Sequence, residues 1–485
     1  MPVSPVRLTT GTDSLRPGFD AIRDELDIEI AFPTGAQAEA EAAAVAGPHT
    51  EAGVDLRDIP FVTLDPPGSL DLDQALAIEP APGGDGFIVH YAIADVGAFV
   101  KPGGALDDAA RRRGVTVYLP DARAPLHPPV LSEGAASLLP GQERQALVWT
   151  FTLDDAGEPT STTLRRARVR SRRRYTYEEA QAALDAGNAD ECIQLLREVG
   201  LRREALEVAR GGVSLRVPEQ VVVEAAGRYE LVYRAPLAVE GWNAQLSLMT
   251  GMAAAGLMLD AGVGVVRKLP APSPDTVDAL RRRARALDVP WPRGAPYAHV
   301  IRSLEPAVPD HAAFLAQATR LFRGAGYASF DEPDLPRPAD PAHAAVAAPY
   351  AHVTAPLRRL VDRFANEIVL AVTTGREPPA WAREALAELP ELMQAARQRE
   401  GSADARAADL VEAVVLSGRV GDVLDAVVVG TGERGAQVQV RRPAVLARLS
   451  PSASHALSAG DVVRVRVVSA DPAARRVELA VHAER

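Results

Sequence analysis

The rhythm of apolar and polar positions changes twice along the chain and divides it into three stretches. Residues 1–50 have helical spacing. Residues 17–26 read as one helix, Phe32-Pro33-Thr34-Gly35 as a turn, and the Ala/Glu-rich run 37–45 as a second helix. Two helices around a turn serve as a helix-turn-helix-like piece or as a packing arm. No basic face marks a recognition helix, which favours the arm. Residues 51–400 mix short strands with helices. Residues 59–64 predict a strand ending at Asp65, Pro66-Pro67-Gly68-Ser69 breaks it, and 70–78 alternate again. FIVHYAIA at 87–94 predicts a buried strand with Asp95 at its end, and 147–153 another. Residues 177–185, 190–208 and 242–259 predict helices. Without strict alternation of strand and helix, the fold class expected is α+β. A charged, Ala-rich helical stretch at 390–414 leads into residues 415–485. There, about five short strands between Gly, Asp and Pro turns suit a small closed barrel, an OB-fold.

Composition narrows the class. Of 485 residues, 47% are hydrophobic and 24% charged, which is ordinary for a globular chain able to bury a core. The net charge of -11 excludes a nucleic-acid grip based on bulk positive charge, so a polyanion would need a local basic surface. Cys192 is the only cysteine, which excludes an intrachain disulfide framework and a cysteine zinc site. A reducing, cytoplasmic setting follows as the expectation. Residues 1–19 hold no apolar run of signal-peptide length. The longest apolar stretch, 246–266, carries Asp260 and four glycines, and reads as a buried helix with its exit loop, not a membrane span. Lysine occurs only at Lys101 and Lys268, so phosphate contacts would be guanidinium chemistry.

The segment TLDPPGSLDLDQAL at 63–76 holds the densest candidate chemistry. Asp71 and Asp73 are two apart, so in an extended chain they share one face, and the Pro-Pro-Gly-Ser loop lets Asp65 double back beside them. Three carboxylates held close repel unless cations neutralise them. Hard oxygen ligands suit Mg²⁺, with Mn²⁺ as the alternative. A solvated acidic turn has the same pattern.

Longer motifs in order carry a family resemblance. DLRDIPFVTLDPPGSLDLDQAL, then VHYAIADVGAFV, then the run through VYLPD to SLLPGQ, then HAAVAAPYAHVTAPLRRLVDRF resemble the RNase II family, also called RNB, over roughly residues 28–485. The β-rich C-terminus resembles the S1-type OB-fold of these enzymes. The resemblance implies an RNB catalytic domain (51–400), an S1-like OB-fold (415–485) and a short N-terminal helical segment (1–50) without the family's cold-shock domains. It implies a processive, hydrolytic 3′→5′ exoribonuclease that works with Mg²⁺ on single-stranded RNA and releases nucleoside 5′-monophosphates. It makes Asp65, Asp71 and Asp73 metal-site residues. Asp73, Arg358 and Tyr118 become the catalytic set, Tyr118 packing on the terminal nucleotide and Arg358 meeting the scissile phosphate. Tyr350, Thr354 and Arg359 join Tyr118 and Arg358 as RNA contacts. A monomer with no membrane association is expected.

The chain departs from the pattern at several places. Gln74 stands where the family has a fourth aspartate, offering the metal one neutral carbonyl oxygen; Asp95 is expected to make up part of that charge. Val263 falls where the family has a second aromatic for the last base, Ala355 replaces a serine, and Asp404 is the candidate for a glutamate. Catalysis lost through Gln74 would leave an RNA-binding protein of the same fold; a metal-dependent phosphatase or DNA nuclease is the more distant reading. The arginines from Arg165 to Arg174 bind phosphates or blunt a strand edge. Val440–Arg442 and Val463–Arg466 are the expected RNA-gripping barrel strands. Pro356 is expected to open a helix that presents Arg358 to phosphate, with Arg359 the likelier partner for Asp362.

Overall fold

The computed structural model describes residues 6–8, 15–51, 53–225, 228–432, 435–449 and 457–482. A seven-stranded sheet lies at the centre, in the order Arg173–Thr176, Val62–Asp65, Gln74–Pro80, Phe87–Ala94, Glu143–Leu153, Pro159–Arg170, Val54–Asp55. The inner pairings are antiparallel and the outermost two are parallel. Successive side chains leave a strand on opposite faces. Leu76, Ile78, Val89, Tyr91 and Ile93 therefore enter one large core, while Ala75, Ala77, Ala92 and Ala94 meet a second core with Phe61, Leu72 and Phe99.

Helices cover both faces, as an α+β fold with two cores requires. Glu191–Arg210 and Ala238–Ala261 pack on the large-core face. They cross closely because Gly200 has no side chain: a Cβ there would stand 2.3 Å from Trp242 Cβ. Ala238–Ala261 contains the predicted 242–259 helix and ends at left-handed Gly262 (φ 75°). The expected exit loop is instead the strand Val263–Lys268. Among the described residues, no helix is long and apolar enough to cross a membrane. Cys192 is partly buried, and burial pushes its thiol up to about 12.

The N-terminal segment packs as an arm. Helix Arg16–Glu25 places Leu15, Phe19 and Ile22 in the large core and lies on the long helix Leu389–Ser417, whose Leu410 comes close at Gly18. Helix Thr34–Ala46 puts Ala40 in the second core. These helices share their cores with the sheet instead of forming a unit of their own. A strand outside the sequence expectation, Val6–Leu8, pairs in parallel with Glu219–Ala225.

The five-stranded C-terminal sheet runs Leu446–Arg448, Gly435–Val440, Val423–Gly432, Val462–Asp471, Arg476–Val481. A bridge from Leu449 to Leu479 brings its two edges together, giving the nearly closed barrel the turn spacing predicted. Arg464 and Arg466 lie exposed on the outside of this barrel.

Two buried polar groups generate stability predictions. Asp107 lies in the first turn of helix Ala105–Arg113. Its Oδ2 does accept the Gly103 N–H, but its Oδ1 takes the Arg363 guanidinium at 2.5 Å, and both side chains are buried. Removing one partner strands a buried charge. Asp107→Asn should therefore lower the unfolding free energy by about 3–5 kcal/mol; a loss below ~1 kcal/mol in urea titration contradicts this. His127 is fully buried, and burial depresses its imidazole to about 3. The unfolded chain then binds the extra proton, so stability is complete above pH ~6.5 and falls as the pH drops toward 3. His127→Asn should flatten that acid limb, as read by denaturation midpoints between pH 4 and 7.

Candidate active site

The carboxylates sit where strand Val62–Asp65 turns back into strand Gln74–Pro80. Between them the chain is pinned from several sides. The Ser137 hydroxyl donates to the Leu70 carbonyl (2.6 Å) and accepts the Leu72 N–H (3.0 Å). Arg174 Nη1 donates to the Ser69 carbonyl at 2.5 Å, and the Ala94 N–H to the Asp73 carbonyl at 2.8 Å. A loop held this way can keep charged groups close at little further entropic cost.

Asp73 is 5% exposed and has two partners from one downstream turn. The Leu357 N–H donates to its Oδ1 at 2.8 Å, and Arg358 Nε lies 3.3 Å from its Oδ2. Burial pushes this carboxyl up to about 8, against the pull of Arg358 and the Leu357 N–H. Burial, then the Asp71 charge, push Asp65 up to about 7. The Asp65 Oδ2 is buried without a hydrogen-bond partner. Asp71 accepts the Tyr118 hydroxyl at 2.9 Å and Arg123 Nη1 at 3.1 Å.

The turn bearing Arg358 is not the helix start that Pro356 suggested. Residues 356–358 form a turn, and the helix Leu360–Thr373 begins later, with Arg359 at its cap. The Thr116 N–H donates to the Arg358 carbonyl (3.0 Å) and the Leu360 N–H to the Gly114 carbonyl (2.9 Å). Arg358 is thus wedged between Asp73 and the strand leading to Tyr118, while its side chain remains 49% exposed. Arg359 makes a forked pair with Asp362, at 2.5 and 2.8 Å, as its spacing suggested. Asp362 also accepts the Ala355 N–H.

Tyr118 and Arg358 form part of the wall of a cavity of about 380 Å³. Tyr327, His343, Tyr350, His352, Arg267 and Glu400 also line it. A wider cavity of about 1200 Å³ lies against the barrel and shares Phe322, Ala325 and Arg397 with the smaller one. Arg320, Arg323, Arg448 and Arg476 face it, so the arginines on this path are not those of Val463–Arg466 or Val440–Arg442.

Several candidates stand behind the site. Gln74 donates through Nε2 to the Thr354 carbonyl at 2.6 Å, and its Oε1 accepts the Tyr91 hydroxyl, so both ends of the amide are used. Thr354 is 2% exposed and its hydroxyl pairs with Ser247 at 2.7 Å; it braces the frame and presents nothing to the cavity. Tyr350 reaches the cavity wall but is mostly buried, its ring close against Gly251, where a Cβ would stand 2.2 Å from it. Asp95 belongs to another network, accepting Arg166 Nε at 2.7 Å and Gln145. Arg166 also pairs with Glu367, so the basic run is partly structural. The cavity's carboxylate from the long helix is Glu400, which burial pushes upward, and not Asp404 one turn later. Arg123, two residues past VYLPD, and Ser137, the first residue of SLLPG, carried no further sequence signal.

The donor set fits a hard divalent ion in its chemistry: three carboxylates, one with an unpartnered buried oxygen. Convergence is only partial. Among the described residues, no three His, Cys, Asp or Glu side chains come together closely enough to hold a metal ion. Arg123 and Arg358 supply the neutralising charge instead.

Comparison with known proteins identifies the two domains that make up most of the chain. The RNB domain family matches residues 54–375, and the RNase II-type exonuclease C-terminal S1 domain matches 422–482. The exosome complex exonuclease RRP44 homolog A of Arabidopsis thaliana is 30% identical over 336 residues, 65% of this chain and 35% of that protein. The chain therefore spans about a third of that relative's length. The structure of Mycoplasma genitalium RNase R in complex with ribose methylated single-stranded RNA superposes with a TM-score of 0.84 at 18% identity, covering 97% of this chain and 79% of that one. Yeast Ssd1, a pseudonuclease, superposes with a TM-score of 0.68 at 15% identity, covering 97% and 58%. At these identities the two structures establish the fold.

Replacing Gln74 tests its bracing role. Gln74→Leu leaves the Thr354 carbonyl and Tyr91 hydroxyl without their partner and should cost about 1–3 kcal/mol of stability. Unchanged denaturant midpoints would mean the amide is not needed there.

Proposed function

Because the chain belongs to the RNB domain family, we propose that it is a processive 3′→5′ hydrolytic exoribonuclease. It takes single-stranded RNA into the cavity beside Tyr118 and releases nucleoside 5′-monophosphates. One observation carries the reading. Asp73, Arg358 and Tyr118, from three distant segments, are bonded into one patch at a cavity wall, through Arg358 on Asp73 and Tyr118 on Asp71. The exonuclease and RNA-bound relatives support it.

Asp65, Asp71 and Asp73 would hold Mg²⁺, or Mn²⁺ in its place, which when bound supplies a polarised phosphoryl oxygen and a more acidic water. Arg358 is half exposed and only 3.3 Å from its carboxylate, so an incoming phosphate can compete for its fork. There it stabilises the negative charge that develops on the phosphate oxygens. Tyr118, 39% exposed, offers a ring face to the last base. Val263 is buried in its strand and adds no second ring, so Tyr118 stacks alone on that side. Arg359 remains locked on Asp362 and holds the turn that bears Arg358. The arginines of the larger cavity give backbone contacts that do not read sequence, which lets the strand advance after each cleavage.

A second reading keeps the fold and loses the chemistry. Gln74 has replaced a charged ligand, the carboxylates lean on arginines, and a pseudonuclease shares the architecture. A 5′-labelled oligoribonucleotide incubated with Mg²⁺ and then with chelator separates the two. Metal-dependent shortening from the 3′ end with mononucleotide release supports the enzyme. Tight binding without cleavage supports the binding protein.

For the enzyme, Asp73→Asn should abolish turnover while leaving RNA affinity largely intact, and retained turnover would remove Asp73 from the mechanism. Arg358→Ala should lower kcat by roughly a hundred- to a thousandfold if its fork acts on the transition state. A change in KM alone would reassign it to binding.

A further inference from the structure

Tyr118 and Arg123 face each other across a two-stranded hairpin, Val117–Tyr118 with Arg123–Ala124, and both bond Asp71. The hairpin is short. Inside its loop, the Leu119 N–H donates to the Ala122 carbonyl at 2.9 Å. An isolated ribbon of this size has little stability of its own, so something outside it must fix where Tyr118 stands.

The N-terminal helix Arg16–Glu25 supplies that support. Arg23 is 7% exposed, an unusual burial for an arginine in an arm. Its guanidinium grips Asp121, in the hairpin loop, with both oxygens at 2.9 Å, and Nη2 also reaches Asp20 at 2.5 Å. The Asp121 side chain is equally buried. Fork-to-carboxylate pairing fixes direction as well as distance. A buried pair of this kind is weak evidence for net stability, since desolvation offsets much of the attraction. Its geometric effect is the more informative part. Two residues beyond Arg23, Glu25 takes Arg475 of the barrel at 2.5 and 2.7 Å, and Arg406 of the long helix. One helix end therefore holds both the Tyr118 hairpin and the barrel.

We propose that Arg23 is a positioning residue for RNA recognition: by clamping Asp121 it holds the hairpin so that Tyr118 stands at the cavity wall over Asp71. The proposal rests on the reading of that cavity as an RNA site and extends it to a segment outside the matched family regions.

The test uses the full chain in two measurements. Hydrogen exchange of the amides at 117–124 needs no RNA. In Arg23→Gln it should rise in the hairpin while the central sheet stays protected, and unchanged exchange there overturns the proposal. Because Arg23→Gln strands a buried carboxylate, the paired variant Arg23→Gln/Asp121→Asn, which removes both charges, is measured beside it. The same local loosening is expected, and its absence in the paired variant also counts against the clamp. Binding of a labelled single-stranded oligoribonucleotide, in chelator to stop turnover, then supplies a double-mutant cycle with Tyr118→Ala. Each single change should weaken binding about tenfold, and Arg23→Gln should add less than about twofold once Tyr118 is gone. Additive losses would show that Arg23 acts elsewhere and overturn the proposal. Binding unaffected by Tyr118→Ala would overturn the RNA role of Tyr118, and with it the recognition half of the proposal, leaving hydrogen exchange to judge the clamp.

Discussion

Asp73 joins two segments that are far apart in sequence. Its buried carboxylate receives a backbone N–H from Leu357 and the guanidinium of Arg358. A buried carboxylate without partners would be costly, so the turn at 356–358 must sit where it does for Asp73 to be tolerated. The same turn is held from its other side by the strand that leads to Tyr118. Asp73 and Arg358 are located by this junction. The Gln74 amide between Tyr91 and Thr354 secures the layer behind.

Charge in this molecule is spent internally. The chain is acidic overall, yet arginines stand on Asp71, Asp73, Asp95, Asp107, Asp121 and Asp362. Most of these pairs shape the protein, so their guanidiniums are not free for a ligand. Those along the connected cavities, including Arg320, Arg323, Arg448 and the half-free Arg358, are the exceptions. This reconciles a negative net charge with a polyanion partner.

Much of this was legible in the sequence because it is written in local periodicity. Alternation at 70–78 and the apolar run at 87–94 pointed to two central strands, which run Gln74–Pro80 and Phe87–Ala94, and turn spacing after residue 419 located the barrel. The three-residue spacing of Arg359 and Asp362 anticipated their pair. The site was legible only as far as motifs reach. Tyr118 and Arg358 reach one cavity wall and bond Asp71 and Asp73, but the other partners of these groups left no mark in the sequence. Arg123 and Ser137 meet the aspartate loop only after folding. Thr354 and Gln74 look like ligand contacts in a motif and prove to face inward, since their neighbours Ser247 and Tyr91 come from other elements. Glu400 and Asp404 lie one turn apart on one helix, and packing alone decides which reaches the cavity. The same limit hid Arg23, whose partner is about a hundred residues away.

We propose that the aspartate loop, balanced here by Arg123 and Arg358, receives a divalent ion. Soaking crystals in Mn²⁺ and locating it by anomalous scattering tests this most directly. A peak bonded to oxygens of Asp65, Asp71 and Asp73 is expected, with Arg123 or Arg358 displaced from its carboxylate. A crystal with no peak there at millimolar Mn²⁺, and with both arginine pairs unmoved, would contradict it.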